Sequence, residues 1–188
     1  MKTFVIFICL CVFIPATAQH KINFRSQNYA GLLEGENGSA FQVLTINGLR
    51  YKSWFTGIGT GVDWYYLRSI PLFASVNKSF FEKNNRNAFF ISADVGINFP
   101  WTRQYYHDWN YGGTEKYYNG LYLTPGIGYK TGIGKKSDAI LLYFGYSYKH
   151  TKERVFSNYP CLACLNSETT SIYNYYLKRL SLKLGWSF

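Results

Sequence analysis

Apolar and polar positions alternate with strict period two along residues 179–188, the end of a predicted strand at 173–188. Counting back from Phe188, the apolar positions are Trp186, Leu184, Leu182 and Leu180, and the positions between them are Ser187, Gly185, Lys183, Ser181 and Arg179. This period indicates a β-strand with one apolar and one polar face. A soluble domain seldom carries such a strand to its final residue, because chain ends usually fray.

Seven earlier stretches have strand character, and no helical periodicity follows residue 19. The eight predicted strands are residues 28–34, 40–50, 54–67, 72–81, 88–101, 120–131, 139–151 and 173–188. Short polar turns follow the second, fourth and sixth strands, and long loops are expected at 102–119 and 152–172. An even number of strands with short turns on one side predicts an all-β fold, an eight-stranded antiparallel up-and-down transmembrane β-barrel.

Alternation alone does not say which face points outward, since a soluble lipocalin-like barrel has the same period with its apolar face inside. The glycines favour the opposite arrangement. Gly57, Gly59 and Gly61 share the polar face of one strand. On a water-facing surface they would only weaken the strand, whereas in a narrow polar lumen small residues make room for neighbouring side chains. The facing of the second strand stays open.

The amino-terminal residues have the pattern of a secretory signal peptide. Lys2 precedes an apolar run from Phe4 to Ile14, and Ala16-Thr17-Ala18 gives a small-x-small cleavage pattern. A transmembrane helix would need about 20 apolar residues. We therefore expect a signal peptide at residues 1–18, Sec-type export, and a β-barrel domain at residues 19–188.

Composition supports a membrane setting. Aromatic residues make up 20% of the chain, with 18 tyrosines, and membrane barrels use such residues as girdles at the two interfaces. The predicted girdles are Trp54, Phe80, Phe89, Trp186 and Phe188 at one end, and Trp64, Tyr66, Trp101, Tyr117, Tyr146 and Tyr173 at the other. The net charge of +10 is dispersed along the chain, so no nucleic-acid partner is expected.

Three features together resemble the small outer-membrane β-barrel family, the porin-family or OmpA/OmpX-like eight-stranded barrels. They are the eight strands, the segment from Ile58 to Asp63 leading to Ile70–Ala74, and the final Trp186-Ser187-Phe188. The resemblance implies the outer membrane of a Gram-negative cell envelope, with both termini periplasmic. It also implies that Trp186 and Phe188 form the assembly signal read by the barrel assembly machinery. It implies no single activity.

The predicted inner face carries charges of both signs, and buried charges persist only when paired and hydrogen-bonded. The lumen polar network is predicted to consist of Asp63, Asn77, Asp94, Asn98, Lys130, Lys149, Arg179 and Lys183. A structural network that fills the barrel is favoured over a selective pore, because eight strands leave an interior only wide enough for side chains.

No catalytic, cofactor-binding or metal-binding residues are predicted. Cys161 and Cys164 lack a second ligand pair for zinc, and an oxidising exterior favours a disulfide between them, with free thiols or a metal as alternatives. His150 is placed like the histidine of a lipid A deacylase, but Lys152 stands where that enzyme's serine would be. The glycine strings lie within strands and not at the strand-to-helix turn that a phosphate loop needs.

These observations favour a non-enzymatic integral outer-membrane barrel with a structural or surface-interaction role through its external loops. Expected partners are outer-membrane lipid and lipopolysaccharide, and a glycan or protein ligand at the loop containing Trp109, Tyr111, Tyr117 and Tyr118. A small-solute porin or transporter and a lipid A-modifying enzyme are the alternatives.

Overall fold

The structure, a computed structural model, describes residues 22–36, 38–83, 86–101, 104–107, 113–133, 138–159 and 167–188. Its ten strands are β1 (Asn23–Gly35), β2 (Gly38–Tyr51), β3 (Trp54–Asp63), β4 (Ser69–Lys83), β5 (Asn87–Pro100), β6 (Gln104–His107), β7 (Gly113–Tyr118), β8 (Gly120–Gly132), β9 (Ala139–Tyr159) and β10 (Ser167–Ser187). None of the described residues belongs to a helix long and apolar enough to cross a bilayer.

Eight of these strands form a closed antiparallel barrel. The order around it is β10, β1, β2, β3, β4, β5, β8 and β9, and β9 pairs with β10 to close the ring. Residues Gln27–Glu34 of β1 pair with Ser187–Leu180 of β10. Beyond these pairs, Ser26 N–H donates to the Phe188 carbonyl at 3.0 Å and Phe188 N–H donates to the Ser26 carbonyl at 3.1 Å. The predicted eight-stranded antiparallel barrel is confirmed.

The apolar face of each strand lies on the outside of the barrel. On β10, Leu182 is 52% exposed and Leu184 61% exposed, whereas the alternating Ser181 and Lys183 are at most 3% exposed. β9 repeats the arrangement, with Leu142 and Phe144 outside and Tyr143 inside. This reverses the usual distribution in water-soluble proteins, where large apolar side chains are mostly interior.

Glycines on the inner face make room for aromatic rings from other positions. A Cβ atom added at Gly59 would lie within 3 Å of the Phe73 ring, one at Gly128 within 3 Å of the Phe90 ring, and one at Gly126 or Gly145 within 3 Å of the Tyr143 side chain. The narrow interior therefore needs glycine wherever a ring crosses the strand. It holds a cluster of buried rings and aliphatic side chains: Tyr29, Leu44, Ile46, Phe55, Phe73, Phe90, Tyr122, Leu141 and Tyr143.

The facing of β2, left open by the sequence, is settled by burial. Gln42, Leu44 and Ile46 are at most 2% exposed, and Phe41 and Val43 are exposed on the outside. Both faces of this strand carry apolar residues because two of its inner positions belong to the buried cluster. Hydrophobicity alone therefore could not assign its faces.

The two ends of the barrel differ in height. The short-turn end carries the β2–β3, β4–β5 and β8–β9 connections and Phe188. We call the opposite end the extended end. Its connections are short at the β1–β2 turn and at residues 64–68, whereas β9 and β10 continue as a pair well beyond the barrel. There β7 pairs with the outer part of β9, and β6 pairs with β7. We call the sheet of β6, β7 and the outer parts of β9 and β10 the extension.

The strands of the extension include residues that were predicted to belong to two long loops. Residues 102–119 contain β6 and β7, and residues 152–172 contain the ends of β9 and the start of β10. The prediction was wrong because these residues lack the apolar alternation by which the strands were recognised. These strands continue further, since each finds a hydrogen-bonding neighbour above the barrel.

Candidate functional site

The candidate site has two parts, the lumen of the barrel and the extension above it. In the lumen, inward-facing side chains from opposite strands meet. The structure buries six of the eight predicted network residues almost completely, namely Asp63, Asn77, Asp94, Asn98, Lys149 and Lys183, together with the 8% exposed Arg179. Lys130 is half-buried near the short-turn end.

The first ion pair lies toward the extended end. Lys149 Nζ on β9 donates to Asp63 Oδ1 on β3, on the opposite side of the barrel, at 3.0 Å. The same ammonium donates to Ser69 Oγ at 2.5 Å and to the Tyr65 carbonyl at 3.0 Å. Asp63 Oδ1 also accepts a hydrogen bond from Ser69 Oγ at 2.6 Å. Both side chains are fully buried, and all three ammonium protons have an acceptor. Asp63 Oδ2 has no hydrogen-bond partner among the described residues.

The second ion pair lies deeper in the barrel and is looser. Lys183 Nζ on β10 is 3.9 Å from Asp94 Oδ2 on β5, which is beyond hydrogen-bonding distance. Asp94 Oδ1 has no hydrogen-bond partner among the described residues. The ammonium lies 4.3 Å from the centroid of the Tyr143 ring and 6.0 Å from that of Tyr29. The faces of these two rings therefore provide part of the stabilisation of the ammonium that hydrogen-bond acceptors provide elsewhere.

Two of the predicted cations do not pair with the aspartates. Arg179 donates to the Gly38 carbonyl at 2.7 Å and stacks over Tyr65 at 4.6 Å. Lys130 lines a recess of about 30 Å³ at the short-turn end, together with Arg25 and Arg50. β8 runs toward that end, so Lys130 lies far along the strand from the level of Asp94.

The two predicted asparagines have different surroundings. Asn77 Nδ2 donates to Gln27 Oε1 at 3.1 Å, which links β4 to β1 across the lumen. Asn98 is 1% exposed, and neither its Nδ2 nor its Oδ1 has a hydrogen-bond partner among the described residues.

Residues that the sequence did not single out complete the filling of the lumen. Tyr65 and Tyr122 are fully buried, and the Tyr122 hydroxyl accepts a hydrogen bond at 3.3 Å from Gln42, on the strand directly opposite. Tyr65 lies in the β3–β4 connection, although it was predicted to be part of the third strand, and Ser69 is the first residue of β4. The signal available for Gln42 was its polar side chain within the apolar run Ala40–Leu44. Contacts of this kind span the lumen at several levels.

The extension sorts its charges between its two faces. On the inner face, which continues the lumen side, Glu153 is 5% exposed and the Tyr117 hydroxyl donates to Glu115 Oε2 at 3.1 Å. Burial, and secondly the negative charge of Glu153, raises the pKa of Tyr117 above its ordinary value. Tyr117 therefore belongs to this inner face and not to the outward aromatic girdle in which it was predicted.

The outer face of the extension is basic and aromatic. Lys116 Nζ lies 5.6 Å, Lys152 Nζ 5.9 Å and Arg154 Cζ 5.6 Å from the centroid of the Tyr118 ring. Arg154 also lies 5.8 Å from the Phe156 ring. We call Lys116, Tyr118, Lys152 and Arg154 the basic patch. No ion pair to a carboxylate joins any of its three cations among the residues whose side chains the structure describes.

His150 lies on the same outward face as the basic patch, and its ring stacks on Tyr176 at 5.1 Å. Lys152 is the next outward residue on β9. Where the structure describes side chains, no three His, Cys, Asp or Glu residues are grouped so as to hold a metal ion. Cys161, Cys164, Trp109, Tyr111 and residues 1–18 lie outside the described residues, so their predicted roles stay predictions.

The architecture has a counterpart among solved structures. Neisserial surface protein A (NspA) superposes with a TM-score of 0.50 at 11% sequence identity, over 88% of this chain and 95% of that one. The chain has the fold of a small outer-membrane β-barrel. At this identity the likeness concerns the fold of the barrel and not its activity. No protein-family model matches the sequence, and no curated protein does.

Proposed function

We propose that this chain is an integral, non-enzymatic barrel of the bacterial outer membrane, which braces the envelope or presents its extension to a partner. The observation that carries the proposal is the reversal of its faces. A closed sheet with large apolar side chains outside and buried ion pairs inside is suited to lipid and not to water. The fold it shares with NspA supports the same setting.

In this proposal the short-turn end faces the periplasm and the extended end faces outward. Outer-membrane barrels have short periplasmic turns and longer external segments, and this chain has the same asymmetry. Both chain termini would then be periplasmic after Sec-type export, with Trp186 and Phe188 available to the assembly machinery. Exposed Trp54, Phe89, Trp186 and Phe188 would form the periplasmic girdle.

The filled lumen argues against the alternative of a small-solute porin. Asp63 meets Lys149, Gln42 meets Tyr122 and Asn77 meets Gln27, each pair from strands separated by others around the ring. An eight-stranded barrel leaves no more room than these side chains occupy. We therefore expect conductance near background in planar bilayers.

Two measurements on refolded protein test the proposal. Unheated protein should migrate on a gel differently from boiled protein, because a closed sheet with all strands paired resists detergent. No such shift, combined with solubility without detergent, would contradict a membrane barrel. Large, stable, ion-selective conductance steps would instead favour the transport alternative. Mass spectrometry of lipid A from cells expressing the protein should show no change, and loss of an acyl chain would indicate an enzyme.

A further inference from the structure

The outward face of β9 changes its chemistry in a fixed order along the strand. Ile140, Leu142 and Phe144 are apolar and exposed, Tyr146 and Tyr148 follow, and then come His150, Lys152 and Arg154. With the usual rise per residue and strand tilt, Ile140 to Tyr148 covers about 20 Å along the barrel axis, which is close to the height of an apolar membrane band. The cations of the basic patch therefore begin just beyond the apolar band, where lipid headgroups lie.

The basic patch is assembled from two strands. Lys152 and Arg154 come from β9, and the neighbouring β7 contributes Lys116 and Tyr118, with Tyr118 opposite Lys152 and Lys116 opposite Arg154. Pairing thus places three cations within 6 Å of the centroid of a single ring. One aromatic ring offers only weak compensation for three positive charges that repel each other.

The acidic residues of the same strands point away from the basic patch. Glu115 and Glu153 alternate with Lys116 and Arg154 and lie on the inner face with Tyr117. A surface adapted only to water would gain from mixing the two signs on each face. Because the acidic residues lie on the inner face and the basic residues on the outer face, the outer face is positively charged and complementary to an anion.

We propose that Lys116, Lys152 and Arg154, grouped around Tyr118, bind the phosphate groups of a phosphorylated glycolipid in the outer leaflet. The inference rests on the proposed function, because it needs the extended end to face outward. The outer face of the extension is continuous with the lipid-facing surface below it, so a lipid whose acyl chains lie against Phe144 can reach the patch with its headgroup. The guanidinium of Arg154 suits a phosphate through paired hydrogen bonds, and the lysines suit it as point charges.

The test uses full-length protein refolded in detergent and titrated with bisphosphorylated lipid A, with binding followed by native mass spectrometry. The variant K116Q/K152Q/R154Q should bind at least about tenfold more weakly than the wild type, because charge-assisted contacts to phosphate are lost. Dephosphorylated lipid A should bind the wild type as weakly as phosphorylated lipid A binds the variant.

The chain offers a matched control at the opposite end of the barrel. K52Q/K78Q/R86Q removes the same number of lysines and arginines, and Lys52 and Lys78 also lie near aromatic rings, but each near its own ring, Tyr51 and Trp54. This variant should stay within about twofold of the wild type, since its charges are not grouped around one ring and single surface charges contribute little. An equal loss in both variants would show attraction by net charge alone and would overturn the site.

Two further outcomes would also overturn the inference. If inorganic pyrophosphate displaced lipid A at equal concentration, the patch would be a site for a free anion and not for a lipid. If R154Q alone, K152Q alone and the triple variant all bound like the wild type, the patch would have no role in binding. All variants are first checked for the heat-dependent gel shift, so that failure of the barrel itself is distinguished from failure of the site.

Discussion

The lumen contains two buried lysine–aspartate pairs whose surroundings differ. Lys149 and Asp63 are in direct hydrogen-bonding contact, and Ser69 and the Tyr65 carbonyl bind the remaining donors. Lys183 and Asp94 are 3.9 Å apart and make no hydrogen bond to each other, and aromatic rings surround the ammonium. Each aspartate has one carboxylate oxygen without a hydrogen-bond partner among the described residues, so the pairs differ in the surroundings of the ammonium. The comparison shows that opposite charges on facing strands do not by themselves make a strong pair. The neighbouring hydroxyl and carbonyl groups decide how much each pair stabilises the barrel.

The largest expected effect comes from removing the carboxylate of the pair that is joined by a direct hydrogen bond. Asp63→Ala should lower the free energy of unfolding by about 3–5 kcal/mol, because it leaves the buried Lys149 ammonium without its counter-ion. The measurement is urea unfolding in detergent, followed by loss of the compact form on unheated gels.

A double variant separates the lost charge pair from the lost packing. Asp63→Ala combined with Lys149→Met removes both charges, so it should recover part of the stability lost in the single variant. If the double variant were no more stable than Asp63→Ala alone, an unpaired ammonium would not be the cause of the loss.

Asp94→Ala should lower the free energy of unfolding by a smaller amount, about 2 kcal/mol. The carboxylate makes no hydrogen bond to Lys183, and the Tyr143 ring stays beside the ammonium in the variant. Planar-bilayer conductance should remain near background, since Tyr29, Tyr122 and Tyr143 still fill that level of the lumen. A loss of stability equal to that of Asp63→Ala would contradict the distinction between the two pairs.

The smallest effects test the role of hydroxyl groups. Ser69→Ala removes a hydroxyl that hydrogen-bonds to both Lys149 and Asp63, and it should lower the free energy of unfolding by about 1 kcal/mol. Ser181→Ala is the matched control, because Ser181 is equally buried but its Oγ has no hydrogen-bond partner among the described residues. That variant should be neutral or slightly stabilising in the same urea measurement. Equal losses would mean that burial, and not bridging, explains the effect of Ser69.

The alternation of apolar and polar side chains predicted most of the barrel from the sequence. A strand has only two faces, and the face on the outside of a membrane barrel must be apolar. This worked for β9 and β10, where Leu142, Leu182 and Leu184 mark the outside. It did not work for β2, where Leu44 and Ile46 pack into the interior. It also missed the extension, since β7 is stabilised by pairing with β9 and not by a hydrophobic pattern of its own.

The partners within the lumen could not be predicted residue by residue. Lys149 and Asp63 are 86 positions apart, and they meet because closure and strand tilt bring them to the same level. The same geometry takes Lys130 to the short-turn end, beside Arg25 and Arg50. Local sequence shows that a residue points inward but does not show its height in the barrel. Tyr65 and Ser69 were missed for a related reason, since their distance from Lys149 along the chain gives no sign that they lie at its level.

The hydrogen bonds between Ser26 and Phe188 have a consequence for the order in which the molecule forms. They join residues from the first and last strands, so the seam between β1 and β10 is the contact with the greatest separation along the chain. The entropic cost of closing a loop grows with its length, and contacts of this kind form late and slowly. Every pair of barrel strands that does not include β10 can assemble before β10 exists, but the ring cannot close. Until then the edges of β1 and of the newest strand remain unpaired, and such edges favour aggregation. A chain of this topology therefore needs protection in the interval between synthesis and closure.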